Sequence, residues 1–191
     1  MKETTKPASP SAANLLYPLS EFCLAAGLSI PTHECLAGEA VPEPYQRLLV
    51  HERDMTPVLE QRHGQTMTLK ILHKQVTDTF LMRQVLLVGD DDQTIAEFGA
   101  IRINLERFTD DSAQQIRECR RPLGAILRDA QIEHTSSPGG YFRVRADGLM
   151  PQALNTHLGH WLYGRQNRLV DPQQRDLAQV VEILPGLEDT R

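Results

Sequence analysis

The sequence predicts an α+β domain built on an antiparallel sheet, and three observations carry that expectation. Segments with strand-like, two-residue alternation cluster at residues 66–105 and again at 160–185. Helical segments are inserted between those clusters. Nowhere do strand and helix alternate in the βαβ manner that builds a parallel sheet. The 191 residues are enough for one domain with an ample core.

The elements follow in order. Residues 1 to about 12 are rich in Thr, Pro, Ser and Ala, which predicts a mobile start. Residues 1–40 read as an N-terminal leader, partly mobile, and 41–191 as the domain. "LLYPLSEFCLAAG" is a short apolar helix ended by Gly27, and "AGEAVPEPYQ" is a connector with a helix starting near Pro44. In "RDMTPVLEQRHG", Asp54 or Thr56 suits a helix cap, Pro57 its first turn and Gly64 its end. "TMTLKILHKQV" alternates as a half-buried strand. "TFLMRQVLLVGDDD" (79–92) is a second strand running into a turn, and "TIAEFGAIRINL" (94–105) completes a hairpin. Gly99 inside that strand predicts a bulge or a close backbone approach. Residues 110–130 hold two helices broken at Pro122. "QIEHTSS" and "YFRVRAD" read as strands split by "PGG", with "EHTSSPGGYF" as a mobile loop over a pocket. "LMPQALNTHLG" is a short helix, and "HWLYGRQNRLV" and "RDLAQVVEILP" form a final strand pair around "DPQQ".

Composition narrows the function. Hydrophobic residues make up 40% and charged residues 24%, ordinary for a soluble globular chain. The net charge of −5 argues against general nucleic-acid binding, which needs clustered Lys and Arg. The short basic runs "RECRR" and "RVR" read as solvated faces. No window approaches the roughly 18 apolar residues of a membrane-spanning helix, and "MKETTKPASPSAANLL" has no apolar core of a signal peptide. Cys23, Cys35 and Cys119 show no CxxC spacing, which suggests reduced thiols in a cytoplasmic protein. Asp90, Asp91 and Asp92 read as a turn rather than a calcium loop, and His157 and His160 as surface or core residues rather than metal ligands. Nucleotide-binding loops and nucleophile signatures are absent.

Two charges stand out against this background. In the second strand Arg83 shares a face with Leu81, Val85 and Leu87; in the last, Glu182 shares one with Ala178, Val180 and Leu184. A buried guanidinium stays charged and needs an anionic partner, and a buried carboxylate must be paired or protonated. Either the two form a structural ion pair, or they line a pocket in which Arg83 holds an anion and Glu182 handles a hydroxyl or a proton.

Four segments, in this order, resemble the chorismate pyruvate-lyase family. They are "RDMTPVLEQRHGQTMTLKIL", "FLMRQVLLVGDDDQ", "RPLGAIL" and "LYGRQNRLVDPQQRDLAQVVEILP", spanning roughly residues 47–185. The resemblance implies a single α+β domain whose antiparallel sheet and inserted helices enclose a ligand pocket. It implies conversion of chorismate to 4-hydroxybenzoate and pyruvate with no metal or redox cofactor. Arg83 would grip the ring carboxylate and Glu182 would work at the C4 hydroxyl. Met55 and Leu123, with Thr56 and Gly124 beside them, would complete the binding site through backbone N–H groups at helix starts. The partner is then the dianionic small molecule chorismate, with no nucleic acid and no membrane insertion, in a cytoplasmic monomer or weak dimer. Gln84 departs from the family's glutamate and Gly99 from an arginine found in some members, with Arg102 the candidate substitute. The alternatives are a non-catalytic aromatic-acid binding module of the same fold, as in effector-sensing domains of transcription regulators, or a lyase for a related cyclohexadiene carboxylate.

Overall fold

The computed structural model describes residues 15–187; the expected mobile stretch at residues 1–12 lies outside them. Seven strands form one antiparallel sheet: β1 (His33–Leu36), β2 (Met67–Val76), β3 (Phe80–Gly89), β4 (Ile95–Asn104), β5 (Thr135–Arg145), β6 (Trp161–Val170) and β7 (Asp176–Leu184). Their spatial order is β1-β5-β6-β7-β4-β3-β2, so β7 and β4 lie at the centre and the sheet closes on itself nowhere. Six α-helices flank it: α1 (Leu19–Ala25), α2 (Tyr45–Leu49), α3 (Met55–His63), α4 (Asp110–Glu118), α5 (Leu123–Asp129) and α6 (Met150–Ala153).

Both faces of the sheet are covered, which explains why β3 reads as an almost unbroken apolar run rather than an alternation. On one face Met82, Leu86, Phe98, Val181 and Ile183 pack with Leu15, Leu16, Leu19 and Phe22 around α1, and with Met150 of α6. The other face carries two clusters. Leu81, Ile103, Leu169 and Val180 meet Ile116 of α4 and Leu123 and Leu127 of α5. Leu87 and Leu184 meet Leu49 of α2 and Met55 and Leu59 of α3. The helix ends obey local chemistry. Thr109 caps α4 by accepting from the Ser112 N–H, and α3 ends at Gly64, whose φ of 67° is left-handed.

Several expectations are revised. The segment around "SSPGG" is no loop: β5 runs through it, paired to β6, with a register irregularity between Pro138 and Gly140. Pro lacks a ladder donor and Gly packs nothing, so the pair sits where the ladder is disturbed. The short strand β1, with half of its residues exposed, was not visible as an alternation. At Gly99 there is no bulge, the irregularity lying between Leu87 and Val88 instead, but the close approach is present: a Cβ there would meet Glu97 Oε1 at 3.0 Å. The predicted half-buried β2 is an edge strand, mostly exposed and carrying Lys70 and Lys74, the side chains that discourage further strand pairing. The basic runs are solvated as expected. Arg143 pairs with Glu34 at 2.6 Å, and Arg143 and Arg145 both lie over the Trp161 ring. All three cysteines are free thiols. No helix among the described residues is long and apolar enough to cross a membrane.

Candidate functional site

Strand register decides which side chains share the site. On the face covered by α3 and α5, one row crosses four strands as Arg83, Ile101, Val180 and Asn167. Two residues along the strands the next row reads Val85, Gly99, Glu182 and Arg165. Glu97, opposite Leu87, begins the row after that. Arg83 and Glu182 therefore lie two strands and two residues apart, roughly 12 Å between Cα atoms on standard sheet spacings. That gap leaves room for a ring-sized ligand between two long side chains.

The gap is a small cavity of about 70 Å³ set between the two apolar clusters of this face. Its floor is the sheet: Arg83, Val85, Gly99, Ile101, Val180 and Glu182. Its roof comes from the first turns of α3 and α5, where Met55, Thr56, Leu123 and Gly124 all line it. The six site residues named from the sequence thus converge on one cavity. Arg102 does not. It lies on the opposite face of β4, its guanidinium 4.8 Å from the centre of the Phe80 ring, because its register neighbours are Met82 and Gln179. No cluster of three or more His, Cys, Asp or Glu arranged to hold a metal occurs among the described residues.

Arg83 is only 2% exposed, and its Nε and Nη1 find no acceptor. Its Nη2 makes one long contact, 3.5 Å to the Arg121 carbonyl. Burial lowers its pKa, and Cys119 beside it acts the other way. A guanidinium so desolvated and so poorly satisfied is primed for an anion.

The expected alternative, an ion pair between Arg83 and Glu182, does not form. Glu182 instead pairs with Arg165, which is fully buried and donates through Nε. Arg165 also donates through Nη1 to the carbonyls of Leu49 and His51, at 3.3 and 2.9 Å, and through Nη2 to that of Arg53, at 2.9 Å. It thereby ties β6 to the turn between α2 and α3. Burial pushes the Glu182 carboxyl up, while the charge and hydrogen bond of Arg165 oppose it. The same guanidinium, after burial, helps hold the His51 imidazole below its ordinary value.

Two further polar groups at this cavity, Glu97 and Asn167, escaped the sequence reading, and a third, Asp54, was read only as a helix cap. Glu97 is 4% exposed and its Oε2 has no hydrogen-bond partner. Burial, then the charge of Glu182, raise its carboxyl well above the usual carboxylate range, against the pull of Arg165. Asn167 donates to the Ser136 hydroxyl at 2.8 Å and leaves its Oδ1 unpartnered. Asp54, at the N-cap of α3, accepts a 2.9 Å bond from His134 and lines the rim. The signal for Glu97 was present, since period-two counting puts it on the face of Gly99 and Ile101. Arg165 and Asn167 sit in the polar run "GRQNR", where no apolar neighbours flag them.

The Asp54–His134 contact makes a pH-dependent latch between α3 and the start of β5. The hydrogen bond to Asp54, opposed by burial, raises the His134 pKa. A raised folded-state value means that the latch contributes its full stability below the unfolded histidine pKa of about 6.5 and loses it as pH rises through the folded value. Asp54→Asn is expected to bring the His134 titration, followed by its ring proton resonances, down toward the ordinary value. It is also expected to flatten the dependence of urea stability on pH above about 6.

No protein-family model matches this sequence, and no curated protein does. Solved structures do. The effector domain of PhnF from Mycobacterium smegmatis is similar at 12% identity over 70% of this chain and 88% of that one, with a TM-score of 0.52. PhnF from the same organism is similar at 10% identity over 91% and 99%, with a TM-score of 0.51. A ligand-binding domain assigned to a GntR-family transcriptional regulator of Bordetella bronchiseptica shares 11% identity over 64% and 86%, with a TM-score of 0.49. At these identities the likeness is one of fold. This chain is a single α+β domain that shares its fold with the PhnF effector domain.

Proposed function

We propose that the cavity binds a small cyclic carboxylic acid and that the chain acts there as a chorismate pyruvate-lyase. The observation that carries this reading is the buried guanidinium of Arg83, with two donor atoms unspent, facing an apolar slot that ends in buried carboxyls. Its bidentate fork suits a carboxylate. The aliphatic walls, Val85, Ile101, Leu123, Leu169 and Val180, suit a flat ring, and Glu182 suits a hydroxyl at the far end.

In the proposed reaction the ring carboxylate sits on Arg83 and the C4 hydroxyl donates to Glu182. Loss of the C4 proton and breakage of the C3–O bond aromatise the ring and release enolpyruvate, which gains a proton at its methylene carbon to become pyruvate. Aromatisation drives the step, so the chain's residues need chiefly to orient the ring and exclude water. The resemblance of the four sequence segments supports this choice of substrate, because the residues it singles out meet in one cavity.

A second reading has its own support. PhnF's effector domain shares the fold, and a cavity of this kind also serves a binding module that performs no chemistry. Incubation of the purified chain with chorismate decides between them, with 4-hydroxybenzoate and pyruvate followed together. Equimolar products, formed about 10–100-fold more slowly by Glu182→Gln, are expected of the lyase. Saturable binding of chorismate or 4-hydroxybenzoate without turnover leaves the binding module. A folded chain that neither binds nor converts chorismate points instead to a related cyclohexadiene carboxylate.

A further inference from the structure

Two buried carboxyls, Glu97 and Glu182, share this cavity, and one guanidinium serves them. Every Arg165 hydrogen bond goes elsewhere: to Glu182, to His51 and to the carbonyls of Leu49, His51 and Arg53. Glu97, 4% exposed, is left with an unpartnered Oε2. Its place is built. A Cβ on Gly99 would come within 3.0 Å of Glu97 Oε1, so a larger residue there would crowd the carboxyl. Gly99 is the register partner of Glu182, which makes Glu97 the diagonal neighbour of Glu182, within reach of a long side chain.

Two charged groups act on Glu97, and two more share its cavity. Glu182 on β7 and Arg165 on β6 act on it directly, while Arg83 on β3 and Asp54 at the start of α3 line the same cavity further off. Two ionised carboxylates here would be buried side by side with one committed counter-ion. A single proton shared between them relieves that, and Glu97, the one without a hydrogen bond, is where it belongs. A carboxylic acid has an O–H to give. A hydroxyl group on a ligand can donate to ionised Glu182 and accept from Glu97 at once; a hydrogen, an alkyl group or a bare ring edge can do neither.

We propose that Glu97 is the specificity-determining acid of this cavity: it donates its O–H to a ligand oxygen and, together with Glu182, selects carboxylates that bear a free hydroxyl opposite the carboxylate. The inference rests on the cavity being a ligand site and is independent of turnover. Calorimetric titration at neutral pH tests it, comparing 4-hydroxybenzoate with benzoate on the wild-type chain, Glu97→Gln and Glu97→Leu. The wild type is expected to prefer 4-hydroxybenzoate by about tenfold or more, the value of a good hydrogen bond. Glu97→Gln, which keeps a neutral donor, retains that preference, and Glu97→Leu loses most of it while its benzoate affinity stays within about threefold. Infrared difference spectra give a second readout: a protonated-acid carbonyl band in the wild type that is missing from Glu97→Gln. Equal affinities for the two compounds in the wild type, or a full preference retained in Glu97→Leu, or no such band, overturn the role of Glu97 and leave the cavity as a carboxylate site. If neither compound binds the wild type at all, both the inference and the ligand site fall.

Discussion

Arg83→Met is expected to give a chain that is more stable than the wild type and that has lost its ligand. Arg83 is nearly sealed from solvent, lacks acceptors at Nε and Nη1, and has for company only the Arg121 carbonyl at 3.5 Å from Nη2 and the Cys119 thiol. A desolvated, unpaired cation costs several kcal/mol, and exchanging buried charge for an apolar side chain of similar length commonly stabilises by about 1–4 kcal/mol. The new methionine would extend the apolar lining formed by Val85, Ile101 and Leu123. For a chain of this size the gain corresponds to an unfolding midpoint higher by about 2–16 °C. Affinity for an aromatic carboxylate should fall at least about 100-fold, since the partner carboxylate would then be buried without its counter-ion. The opposite signs are the diagnostic feature. A guanidinium kept for structure would, on removal, lower stability, and that outcome in thermal or urea unfolding would remove the main support for the ligand site.

This expectation depends on a feature that the sequence half revealed. Period-two counting along "TFLMRQVLLVGDDD" placed Arg83 on a buried face, and along "DLAQVVEILP" did the same for Glu182, because an apolar strand makes any charge within it conspicuous. The helix starts at Met55 and Leu123 were legible from Pro57, Gly64 and Pro122 as punctuation, although neither start carries a side-chain cap bond. What lies across from a charge is another matter. Pairing Glu182 with Arg165 rather than Arg83 depends on β6 lying beside β7 and on register, which puts the two residues directly opposite each other. Seventeen residues of separation contain no hint of that until the sheet order is known. Arg102 shows the reverse error: its charge was plausible for the cavity, but one residue of register sends it to the other face. The "SSPGG" stretch misled for a different reason. Pro and Gly punctuate most chains, but the partner strand β6 supplies enough ladder on both sides to carry β5 through them.

Arg165 is the counterpart of Arg83, and Arg165→Met should lower stability by about 3–5 kcal/mol. The two arginines are alike in charge and burial and differ only in company. Arg165 has no exposed surface, yet its donors meet the Glu182 carboxylate and three carbonyls of the turn that leads into α3. Its loss would orphan those carbonyls and leave two buried carboxyls without the guanidinium that faces them. Against a total stability of about 5–15 kcal/mol, that is enough to make folding marginal. Urea unfolding of Arg165→Met, Glu182→Gln and the double variant would measure the pair. The double variant is expected to recover part of the loss, giving a coupling of about 1–3 kcal/mol, because the neutral amide needs no counter-ion. Acid gives an independent check of sign. Glu97 and Glu182 both have raised pKa values in the folded chain, and without Arg165 they would rise further. The folded state then binds more protons than the unfolded one above the ordinary carboxylate value of about 4.3. Stability of Arg165→Met should therefore fall as pH increases through that window and recover as pH is lowered toward it. A variant whose stability instead rose with pH would show that neither carboxyl takes up a proton on folding, and the neutral acid assigned to Glu97 would lose its physical basis with it.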